Sequence, residues 1–120
     1  MKPIRVQRKR TKGWRMPPNT LYVGRAKGYA GRFGNPVMIV RWDNGKYYLC
    51  DAEDGTGISG PYNDKYSAAV AAVLEFRAYV ADFPEIAEAA RKDLKGKNQA
   101  CWCRLDQPCH ADVLLEIANQ

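Results

Sequence analysis

Apolar positions in this chain follow two spacings. Alternation with polar neighbours, the mark of a half-buried strand, runs through Ile4-Arg5-Val6-Gln7, and a short apolar run follows at Leu21-Tyr22-Val23. Two further apolar stretches, 37–42 and 46–50, flank Asp43-Asn44-Gly45, and Asn-Gly between apolar runs predicts a tight hairpin. In that hairpin Met38, Val40 and Trp42 share one face and Val37, Ile39 and Arg41 the other. The next stretch, 51–61, holds three acids and three glycines and reads as an exposed linker.

The spacing then turns helical. Tyr66, Val70, Val73, Phe76 and Val80 form a stripe that predicts a helix over 64–81. Arg77 projects near the middle of that stripe, where a long side chain is expected to snorkel to water, the alternative being burial with an anion or carboxylate. Pro84 opens a second helix over 85–93, acidic in its first turn and basic at Arg91-Lys92, in keeping with the helix dipole. Gly96 marks its stop. A strand is predicted over 98–103, with Cys101 and Cys103 on one face and Trp102 anchored in the core on the other. Asp106 is a suitable N-cap and Pro108 a tolerated first-turn residue for a last helix over 109–118. The expected fold class is therefore α/β. We expect one compact domain over 1–120: a mixed sheet of four or five strands, about three helices, and a closing βα unit.

Length and composition agree with a folded domain: 120 residues, 46% apolar and 11% aromatic. No apolar run is long enough to span a bilayer, and the opening Met-Lys-Pro-Ile-Arg-Val lacks a signal-peptide core. The expected location is a reducing cytoplasm, with no membrane partner. Clustered cysteines there bind metal or react more often than they form disulfides.

Charge changes the picture more. Residues 1–42 carry eleven Lys or Arg and no acid, whereas 43–120 carry eight basic and thirteen acidic residues. A basic amino-terminal third interleaved with rings points to a polyanion, either nucleic acid or a nucleotide. The candidate contacts are Arg8, Lys9, Arg10, Lys12, Trp14, Arg15, Arg25, Arg32 and Asn35. Gly24, Gly28, Gly31 and Gly34 lie among them, and a loop so rich in glycine can bring backbone amides to an anion or serve simply as a turn. Its spacing is not that of a phosphate-binding loop.

The densest chemistry is Cys101-Trp102-Cys103-Arg104-Leu105-Asp106-Gln107-Pro108-Cys109-His110, with three of the four cysteines and the only histidine. Thiolate and imidazole are zinc ligands, and Cys101, Cys103, Cys109 and His110 make a full set of four. Adjacent ligands on one helical turn point about 100° apart, which is awkward, and Cys50 is an alternative to His110. A reactive Cys109 at a helix N-terminus, with His110 as base, is a second reading. Reduced, buried cysteines are a third. Other candidate bases are Asp106, Asp112, Asp51, Glu53 and Asp54, but no carboxylate pair stands out.

The whole chain resembles a family found in bacteriophage genomes, domain-of-unknown-function family 4326. The carriers are Arg5-Val6-Gln7-Arg8-Lys9-Arg10-Thr11-Lys12-Gly13-Trp14-Arg15-Met16-Pro17, Tyr22-Val23-Gly24-Arg25, Gly34-Asn35-Pro36, and Leu94-Lys95-Gly96-Lys97 leading to Cys101-Trp102-Cys103 and Pro108-Cys109-His110-Ala111-Asp112-Val113-Leu114. Phe33 stands where the family pattern has Trp. The resemblance implies a compact domain and a phage setting, hence a host cytoplasm, and carries no activity. The reading reached from the residues is a protein that binds nucleic acid or a nucleotide, with zinc in its Cys/His cluster. Two alternatives stand beside it. One is a nucleotide- or base-modifying enzyme using Cys109 or a zinc-bound water. The other is a host-takeover protein that binds a host protein.

Overall fold

The computed structural model describes residues 2–120. Six strands and three helices follow in the order β1 (Arg5–Gln7), β2 (Thr20–Tyr22), β3 (Val37–Arg41), β4 (Tyr47–Asp51), β5 (Gly57–Tyr62), α1 (Lys65–Asp82), α2 (Pro84–Asp93), β6 (Asn98–Cys101) and α3 (His110–Ala118). The α/β class, the three helices and the closing βα unit are as expected. The strands, however, divide between two three-stranded sheets.

The first sheet is wholly parallel, in the order β1-β6-β2. Its central strand comes from the carboxyl end of the chain and its first edge strand from the amino end. Val6 sits opposite Ala100, and Leu21 opposite Gln99. Beyond the paired strands, the Arg8 amide donates to the Cys101 carbonyl at 2.7 Å and the Val23 amide to the Ala100 carbonyl at 2.9 Å. The second sheet is an antiparallel meander, β3-β4-β5. Its first hairpin turns at Asp43-Asn44-Gly45 as expected, with Gly45 at φ 79°. Trp42 stacks on Tyr48 at 4.0 Å between ring centroids. The third strand corrects the linker expected over 51–61. Its Gly-rich, polar sequence carries little strand signal, but β4 supplies a free edge for it, and Pro61 is tolerated because β5 is itself an edge strand.

Helix α1 packs on β3, β4 and β5 and also on α2 and α3, so it joins the two halves. Asp64 caps it by accepting the Ser67 amide at 2.7 Å. Its buried face is Ala68, Ala69, Ala72, Phe76 and Val80, which corrects the expected stripe. Phe76 and Val80 are shared with it and Val73 is half-buried against the core, but Tyr66 and Val70 face outward. Small alanines let the helix backbone approach the sheet closely, and bulkier side chains are turned to solvent. The larger core gathers Val23, Phe33, Phe76, Leu94, Val113 and Leu114 with Cys101 and Cys109; the smaller one is Val37, Leu49, Ala68 and Ala72. Arg77 is exposed and pairs with Glu116 at 2.9 Å, which matches the snorkelling expectation.

Candidate metal centre and adjoining cavity

β6 ends at Cys101, two residues sooner than predicted, and the chain bends through Trp102 and Cys103 before the loop 104–108. Cys101 therefore stays in the core while Cys103 is half-buried. Strand alternation does not set the Cys103 direction; the bend does. Helix α3 begins at His110, and its N-cap is Cys109, not Asp106. Pro108 disfavours helical backbone at the residue before it, which displaces the start. Asp106 pairs instead with Arg104 at 2.9 Å. The capping box is closed by Asp112, whose carboxylate accepts the Cys109 amide at 3.1 Å while the Cys109 sulfur faces the Asp112 amide.

The sulfurs of Cys101, Cys103 and Cys109 all lie within 4.8 Å of one another, and those of Cys101 and Cys109 are 3.1 Å apart. Thiolates around a tetrahedral zinc with bonds of about 2.3 Å sit roughly 3.8 Å apart, so a small adjustment admits the ion. Cys50 is buried in β4 and does not belong to the group. Hydrogen bonds from Cys101 and then Cys109 pull the Cys103 thiol down to about 2, whereas the Cys101 thiol, which shares its proton with Cys103, rises to about 11. Cys109 is pushed up by its contacts with Cys101 and Cys103 and by burial.

His110 is buried beneath the cluster, edge-on to Phe76 at 5.1 Å. Its Nε2 lies 2.7 Å from the Val23 carbonyl. A carbonyl only accepts, so Nε2 carries the proton and Nδ1 is bare, 3.5 Å from the Cys109 sulfur. An imidazole held by a backbone carbonyl is the arrangement that orients a metal-bound histidine. Burial drives its pKa below the ordinary 6.5, which favours this neutral form. The awkwardness expected of adjacent ligands is relieved because Cys109 is extended (φ −146°) while His110 is helical. The histidine nitrogens nevertheless stand outside the three-sulfur group.

Arg5 was not foreseen as part of this site. Its guanidinium donates to the carbonyls of Arg104, Leu105 and Gln107 at 3.2, 2.9 and 2.7 Å, and to Asp112 at 3.2 Å. It pins the loop between the second and third cysteines. A positively charged residue alternating in a short strand is the only sequence signal, and it does not name distant partners.

All three sulfurs line a cavity of about 440 Å³ at the carboxyl ends of β2 and β6, between the two sheets. Strand carboxyl ends are where open α/β sheets place ligands. Tyr22, Arg25, Asn35 and Trp102 also line it. A Cβ at Gly24 would meet the Tyr22 ring, so a larger residue there would displace that ring. Trp102 is not the core anchor expected: it is 41% exposed, and the guanidiniums of Arg8 and Arg10 lie over its ring at 4.8 and 4.9 Å. Arg8 also stacks on Tyr22 at 4.6 Å.

The other basic residues divide. Lys9, Lys12 and Arg15 are exposed on the loop from β1 to β2, where Trp14 is half-buried and its amide closes a turn on the Thr11 carbonyl at 3.0 Å. Arg25 donates to the Asn35 and Val37 carbonyls at 3.2 and 3.4 Å. Arg32 is paired with Asp93 and stacked on Tyr29 and Phe33, away from the cysteines. Asn35 is buried, with its amide spent on the Ala72 carbonyl and the Val37 amide at 3.2 and 2.9 Å, so its side chain holds α1 to β3.

A small two-sheet α/β protein with three thiols gathered at its last βα turn is the class that fold and site define. The chain belongs to the domain of unknown function family DUF4326, whose model matches residues 6–120. No curated protein and no solved structure gives a significant match. Among the described residues, no helix is long and apolar enough to cross a membrane.

Proposed function

We propose that this is a phage-type protein of the host cytoplasm that binds nucleic acid or a nucleotide beside a zinc ion held by Cys101, Cys103 and Cys109, with His110 Nδ1 as the nearest fourth ligand. One observation carries the reading: the three-sulfur cluster shares its cavity with Trp102, Tyr22 and Arg25, and the guanidiniums of Arg8 and Arg10 lie over those two rings. Thiolates supply the zinc site, and arginines and rings supply the contacts that phosphates and bases need. Protein purified without a histidine tag should contain about one zinc per chain. Cys103→Ser should lower both metal content and melting temperature. Affinity for a short single-stranded oligonucleotide should fall steeply with salt. Metal-free preparations of unchanged stability, or binding indifferent to salt, would remove the corresponding half of the proposal.

A second reading, an enzyme acting on a nucleotide or base, draws on His110 standing outside the sulfur group. A zinc held by three protein ligands would keep a position for water or substrate, and Cys101, Cys103 and Cys109 line the cavity where that substrate would lie. Cobalt substitution separates the two: a closed four-ligand spectrum that does not respond to added nucleotide supports the binding protein alone.

A further inference from the structure

Two guanidiniums, Arg8 and Arg10, share the indole of Trp102. Neither has a carboxylate partner: among the described residues the ion pairs of arginine are those of Arg5, Arg32, Arg77 and Arg104. The buried Nε of Arg8 also lacks a hydrogen-bond partner. Like charges on one ring repel unless an anion lies between them. A guanidinium seated over a ring without a carboxylate partner keeps N–H donors for phosphate oxygens.

The indole that carries them is flanked by two of the clustered cysteines. A metal drawing the Cys101 and Cys103 sulfurs together fixes the backbone on both sides of Trp102. The Arg8 amide is tied to the same place through the Cys101 carbonyl at 2.7 Å. Metal site and cation pair therefore share the segment Cys101-Trp102-Cys103.

We propose that Arg8 and Arg10, stacked on Trp102, form a phosphate-binding subsite whose affinity is coupled to metal occupancy of Cys101, Cys103 and Cys109. The proposal rests on the zinc and anion reading above and adds where the phosphate sits and how the two sites communicate. Linkage makes the effect reciprocal: zinc tightens phosphate binding and phosphate tightens zinc binding by the same factor.

The test measures binding of a fluorescein-labelled single-stranded thymidine oligonucleotide, and separately of thymidine monophosphate, to zinc-loaded and chelator-treated protein. Zinc loading should tighten binding by about fivefold or more. Tightening of the oligonucleotide alone assigns the subsite to the nucleic-acid backbone; tightening of both assigns it to any single phosphate group. Arg10→Ala in the zinc-loaded protein should lower the salt slope of oligonucleotide binding by about 1. Trp102→Ala, verified to retain zinc and its circular dichroism, should reduce the zinc effect to nearly one. If chelated protein unfolds, the same factor is read in reverse, from zinc competition against a chromophoric chelator with and without oligonucleotide. Equal affinity with and without zinc, or a zinc effect that survives Trp102→Ala, overturns the coupling while leaving the binding function intact. Zinc-loaded protein that binds neither probe at low salt, or protein that takes up no zinc, overturns both.

Discussion

At the residue scale, the candidate site depends on side chains that never touch a ligand. Arg5 has a side chain only 9% exposed and binds three carbonyls of the loop between Cys103 and Cys109. Arg5→Met keeps much of the apolar stem and removes every one of those bonds. Losing these charge-assisted bonds to exposed and half-buried acceptors should cost about 1–3 kcal/mol in urea unfolding, and zinc affinity should fall with it. His110 makes a pH-dependent contribution whose sign follows from burial. Its folded pKa is below the unfolded 6.5, so the stability it confers is full above 6.5 and is lost as pH falls through the folded value. Chelated protein should melt lower at about pH 5.5 than at pH 7.5, and His110→Gln should shrink that difference. The cysteine cluster is legible in the sequence because four soft ligands in ten residues are conspicuous without any fold. Arg5 is not, because its partners lie about a hundred residues away and only the parallel pairing of β1 with β6 brings them close.

At the element scale, α1 shows how size can mislead. Tyr66 and Val70 look like the buried side of an amphipathic helix, yet Tyr66 is 54% exposed and the face against β3 and β4 is alanine. The helical period is legible and its phase only in part, through Val73, Phe76 and Val80, because close packing on a sheet favours small residues that hydropathy alone undervalues. Ala72→Leu should destabilise by about 1–3 kcal/mol through overpacking, whereas Leu74→Glu should stay within about 0.5 kcal/mol in the same urea titrations. The β3–β4 hairpin is legible because Asn44-Gly45 demands a turn that few other residues allow. β5 is not, since its strand state is imposed by β4 and not by its own side chains.

At the scale of the whole molecule, two sheets meet where the cavity opens. The one-sheet expectation follows naturally from counting strands, because nothing local states which strands pair. Gly24 to Pro36 carries the chain from one sheet to the other, with one 3₁₀ turn at Gly28–Gly31. Removal of zinc should therefore act on one half. Hydrogen exchange of loaded and chelated protein should differ at 101–110 and at the amides of Arg8 and Val23, which bond to Cys101 and Ala100. Amides of β3, β4 and β5 should change little. Uniform acceleration throughout would show instead that the metal holds the entire structure together.

The pairing of the chain's first strand with its last has a practical corollary. Zinc fingers can be excised as short peptides and grafted elsewhere; this cysteine motif should lose its geometry if cut out. Its floor is a strand wedged between two others from the far end of the polypeptide, and its loop is latched by Arg5. Trimming the amino terminus through Gln7 should abolish metal retention although every sulfur remains in place.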